Sequence, residues 1–165
     1  MRRQILVLII AVSCLIAISA HADDVVLEQI YGDGVHAFNA GDYTSAYNAL
    51  TSAIKGGTQD PRAYYFRGLT YLHLGRDDEA KSDFEKGAEL EVSDSANYYP
   101  VNRSLERIQG GPRQLLEHYR LTVHAVAVEK QAAARQARYE ERSAAEQQIL
   151  RRVAPAQLNP NSTAD

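Results

Sequence analysis

The sequence holds one cysteine in 165 residues, and that one, Cys14, lies in a strongly apolar N-terminal stretch. The first twenty-two residues are compositionally separate: Arg2 and Arg3, an apolar run from Ile5 to Ile18, then Ala20-His21-Ala22 ahead of two aspartates. This is the spelling of a secretory signal peptide cleaved after Ala22. An uncleaved anchor is the alternative, although the run is shorter than the about 20 residues a membrane span requires. Lipid attachment at Cys14 is disfavoured, because Ala11-Val12-Ser13 lacks an aliphatic lead residue and apolar sequence continues past the cysteine. With the leader removed, the chain from Asp23 has no thiol, which excludes a disulfide, a cysteine nucleophile and a thiolate metal site. Such an exported domain rests on its packed core.

Catalytic spellings are missing as well. His36, His73, His118 and His124 include no pair at i, i+4 and no H-E-x-x-H string. Glu117 and His118 are adjacent and therefore point in different directions on a helix. No glycine-flanked serine elbow, phosphate-cradling glycine loop or calcium loop occurs. The expectation is a non-enzymatic protein that uses no cofactor and no metal.

Charge is unevenly spread. Eighteen basic residues, of which Arg2 and Arg3 belong to the leader, stand against twenty-one acids, so the remaining chain is about five charges negative. Asp23 to Asp94 holds fourteen acids and six bases, whereas Arg113 to Val153 holds five acids and eight bases. An acidic module thus precedes a basic arm. Export argues against nucleic acid as the arm's partner. The arm is either a solvated face or a contact for an anionic surface: the acidic module of another copy, a membrane face or a cell-wall polymer.

Between Gly34 and Gly75 one helix-turn-helix spelling occurs twice at an offset of about 34 residues. Tyr31 returns as Tyr65, Gly34 as Gly68, Gly41 as Gly75, Ala46 as Ala80 and Asp60 as Asp94, while Phe84 answers Leu50. The second copy supplies Tyr64, Gly68, Tyr71, Gly75, Ala80 and Phe84, and in spacing and residue type it resembles the tetratricopeptide repeat. The resemblance implies an all-α fold, a short right-handed solenoid of paired antiparallel helices, with repeats at about 27–60 and 61–94 and a degenerate closing unit at 95–120.

Local signals agree with that division. Leu27, Ile30, Gly34, Ala37 and Phe38 form one helical face, and Gly41-Asp42 ends that helix and starts the next. Asp60-Pro61 is a helix cap followed by a first-turn proline. Asp77-Asp78-Glu79 suits the positive end of a helix dipole. In the third unit a helix is expected to start at Tyr98-Tyr99-Pro100, with Val101, Leu105 and Ile108 as its face and Gly110-Gly111-Pro112 as a break. Arg113 to Val153 contains neither proline nor glycine. As one helix it would reach about 60 Å. Its stripe runs Leu116, Tyr119, Val123, Val126, then Ala133 and Ala137 with Lys130 and Glu140 interleaved, the seam of a weak coiled coil or a solvated extension over 121–153. Residues 154–165 read as a disordered tail.

In proteins of the resembling family the first helix of each pair lines a concave groove that binds peptides. Carried to this sequence, the groove positions are Tyr31, Val35 and Phe38; Tyr65, Leu69, Leu72 and His73; and Tyr99, Arg103 and Arg107. An extended peptide with an apolar anchor and an acidic end would suit such a surface. The three tyrosines could instead pack against neighbouring helices or the arm. A clamp for a partner's C-terminal carboxylate is disfavoured, because Tyr31, Val35 and Phe66 stand where lysines and asparagines would be needed. The expected function is a periplasmic or secreted adaptor for a protein or peptide partner. A scaffold self-associating through the long helix and a glycan-binding module remain open beside it.

Overall fold

The computed structural model describes residues 25–153, which are helical with no strand among them. The expected leader and tail lie outside the described residues. Helix α1 covers 25–39, α2 Tyr43–Lys55, α3 Pro61–His73, α4 Asp77–Ser93, α5 Val101–Ser104 and α6 Gly110–Val153. The chain divides into two units, one ending at His124 and the other beginning at Ala125, and α6 carries the boundary.

The helix ends follow from capping chemistry. Gly41 (φ +80°) and Gly75 (φ +71°) adopt the left-handed conformation that ends α1 and α3, a backbone geometry that suits residues without a β-carbon. Asp42 caps α2 by accepting from the Ser45 N–H at 3.0 Å. Asp60 caps α3 through the Arg62 N–H at 2.8 Å, with Pro61 in the first turn. Asp77, Asp78 and Glu79 occupy the first turn of α4.

Small residues set how closely the paired helices approach. In α1 and α2, Gly34 lies against Leu50; in α3 and α4, Gly68 lies against Phe84 and Gly87 against Tyr65. Ala46, Ala53, Ala80 and Ala88 are wholly buried between the same helices. Aromatic edges join one repeat to the next, with Phe66 5.5 Å from Phe38 and 6.2 Å from Tyr31. Helix α3 packs on α2, α4 and α5, so it is covered on most of its circumference. Val101, Leu105 and Leu116 close the core beside it.

The third unit departs from expectation. Its first helix is one turn, Val101–Ser104. The Asp94 carboxylate takes the N–H groups of both Tyr98 and Tyr99 at 3.0 Å, Pro100 has no N–H to give, and the chain turns again at Leu105. Arg113 donates to the Leu105 carbonyl at 2.5 Å, satisfying an end that a longer helix would have satisfied internally. Gly111 and Pro112 are not a break but the start of α6, where proline's missing N–H has no intrahelical partner to lose.

In the second unit, residues 125–151 are exposed almost throughout, Val126, Val128, Tyr139, Ile149 and Leu150 included. Among the described residues no helix is long and apolar enough to cross a membrane.

Candidate functional site

The first turn of α3 gathers the charges of the repeat unit. Arg62 is buried and its Nε donates to both Asp60 oxygens at 2.9 Å, while one terminal nitrogen reaches Glu28 of α1 at 3.0 Å. Its guanidinium lies 4.6 Å from the Tyr31 ring centre and 5.4 Å from that of Tyr99, so rings from the first and third units flank a cation from the second. Burial pushes the Tyr31 hydroxyl up to about 12, opposed by the Arg62 charge and reinforced by Asp60. Asp60 is raised because burial outweighs its bonds to Arg62.

Beside this network opens a cleft of about 720 Å³. Val25, Leu27 and Glu28 contribute from α1, Thr58 and Gln59 from the α2–α3 loop, and Tyr98, Tyr99 and Pro100 from the loop before α5. Tyr98 is 78% exposed and meets Tyr99 edge to face at 4.9 Å. Arg62 is matched there by two carboxylates, which leaves the wall with one surplus negative charge, on the half-exposed Glu28. Apolar floor, exposed aromatic edge and a few polar groups are the elements of a binding cleft for a side chain on an extended segment.

A second network ties α4 to the start of α6. Tyr65 donates to Glu91 at 2.7 Å; Arg120 donates to Glu91, to Glu117 at 2.7 Å and to Asn102 at 3.0 Å. Burial works against ionised Glu91, but the Arg120 and Tyr65 hydrogen bonds prevail and hold it below the usual range. Arg67 and Asp83 form a two-point pair at 2.7 Å between α3 and α4. Among the described residues, no three His, Cys, Asp or Glu side chains cluster so as to hold a metal ion.

The ten groove positions separate by depth. Tyr31 and Phe38 of α1 and Tyr65 and Leu69 of α3 are core residues, the last two on a helix that α2, α4 and α5 pack against. Val35, Leu72 and Tyr99 are partly buried against that core. His73, Arg103 and Arg107 are exposed, with His73 stacked on Tyr43 at 4.1 Å. Of the ten, Tyr99 lines the cleft. Glu28, Arg62 and Tyr98 were not singled out from the sequence. Opposite charges at Glu28 and Arg62, one repeat length apart, were the signal that could have found the network.

Comparison with known proteins agrees with the architecture. Residues 61–91 match the family model of the tetratricopeptide repeat, and they fold as the α3–α4 pair, so the chain carries a repeat of that family. No curated protein and no solved structure gives a significant match to the chain.

Proposed function

From a chain whose central helix pair is a tetratricopeptide repeat, a module for protein–protein interaction, we propose an exported, non-enzymatic adaptor that holds an extended segment of a protein partner. The observation that carries the proposal is the cleft between α1, the α2–α3 loop and Tyr98–Pro100. An apolar side chain of the partner enters over Val25 and Leu27 against the Tyr98 ring, and Gln59 and Glu28 meet its backbone. Arg103 and Arg107, exposed in the segment that follows Pro100, face the partner's acidic end. The apolar N-terminal run with its basic start and Ala20-His21-Ala22 supports delivery across a membrane.

Selection of peptides from a random display library on the purified chain, followed by calorimetry, tests the cleft. The selected peptides should lose at least tenfold in affinity with Gln59→Ala plus Tyr98→Ala, both exposed positions. Equal affinity for a folded double variant removes the cleft from the reading. Fusion of residues 1–30 to a reporter active only after export tests delivery, and an inactive reporter defeats it.

A further inference from the structure

The charges that interrupt the apolar seam of the arm are mutually complementary in only one kind of pairing. Val126, Lys130, Ala133, Ala137, Glu140 and Ala144 follow one another at alternating steps of four and three residues, and all six are exposed. That step pattern is the seam of a two-stranded coiled coil. In a parallel, in-register pair Lys130 would face Lys130 of the other copy and Glu140 would face Glu140, burying like charges twice.

In an antiparallel pair the two kinds of seam position meet each other, and the outcome reverses. With the two-fold axis at Arg135, Lys130 faces Glu140 of the second copy and Glu140 faces its Lys130. Ala133 faces Ala137, and Val126 faces Ala144. Small residues at the centre let the backbones approach closely. Flanking positions agree: Glu129 falls beside Ser143 and Glu141 beside Ala127, with no like-charge pair. Sliding by one heptad sets Lys130 opposite Ala133 or Gln147 and forfeits both ion pairs, so the register is specified by charge. Arg135 and Arg142 stay on the outer face.

We propose that residues 126–144 of two copies pair antiparallel, with Lys130 and Glu140 forming two symmetry-related ion pairs. The pairing turns a single-site adaptor into a two-site one, and it stands or falls independently of the cleft.

Light scattering on the chain from Asp23, which holds no cysteine, should show the mass doubling with rising concentration. Lys130→Glu should weaken the dimer at least tenfold, and Lys130→Glu with Glu140→Lys should restore it, helix content by circular dichroism being equal in all three. Under mild oxidation a mixture of Lys130→Cys and Glu140→Cys chains should cross-link to each other in preference to themselves. A monomer at every concentration overturns the proposal, as does self-cross-linking of Lys130→Cys in preference to the mixture. A monomer that sediments with anionic phosphatidylglycerol vesicles, and ceases to with Arg135→Glu plus Arg138→Glu, would assign the arm to a membrane surface instead.

Discussion

Phe84 lies 2.5 Å from the point where a β-carbon on Gly68 would sit, and Leu50 stands in the same relation to Gly34 at 2.7 Å. One repeat length separates both the glycines and the side chains they admit, so the two helix pairs are closed by one contact made twice. At Gly32 nothing lies within 4 Å of such an atom.

Alanine should therefore act in opposite directions along these helices. Gly68→Ala forces the buried Phe84 ring or the helix spacing to give, and should cost about 1–3 kcal/mol. Gly32→Ala meets no neighbour within a helix and should add about 0.5–1 kcal/mol. Urea unfolding of both variants checks the pair, and equal signs would contradict the close approach.

Arg62 and Asp60 should show strong coupling. Arg62→Met leaves Asp60 buried without its cation and should cost about 3–5 kcal/mol. Adding Asp60→Asn retains the cap on α3 while removing the stranded charge, and should recover part of that loss. A double-mutant cycle in thermal unfolding measures it; additive losses would mean that the two side chains do not act as a pair.

Stability should fall on the acid side through Glu91. Its carboxyl is held below its ordinary 4.5, so the contribution is present above that pH and is lost as pH drops through the lower folded value. Glu91→Gln should cost about 1.5–3 kcal/mol near neutral pH and flatten this part of the acid limb. Chemical unfolding at a series of pH values decides; an unchanged limb would rule Glu91 out as a contributor.

On the alkaline side Tyr31 is one such group, beside Tyr65, which burial and its bond to Glu91 also raise. The Tyr31 hydroxyl is raised from 10.0 to about 12, so the folded state holds a proton that the unfolded chain has already released. Its contribution is complete below pH 10 and is lost as pH climbs toward 12. Tyr31→Phe should shift alkaline unfolding, followed by circular dichroism, to higher pH.

The sequence by itself determined the helix pairs, because the demands that make them are local and recur with the chain. A glycine able to turn left-handed at Gly41 and Gly75, a cap at Asp42 and Asp60, and a small residue opposite a large one at Gly34 and Gly68 are each visible as residue types at a fixed offset. Tertiary structure decided which positions on the same helix faces stay accessible. Tyr65 and Leu69 occupy positions like those of His73, yet they are buried and His73 is exposed, because cover depends on what packs over each position rather than on the helix itself: Tyr65 is met by Gly87 of α4 and by Arg120 of α6. It also decided that α5 is a single turn and that Arg62 of the second repeat is held from the first and the third at once. Burial and charge pairing sum over residues far apart in sequence, whereas a cap or a turn is settled within four.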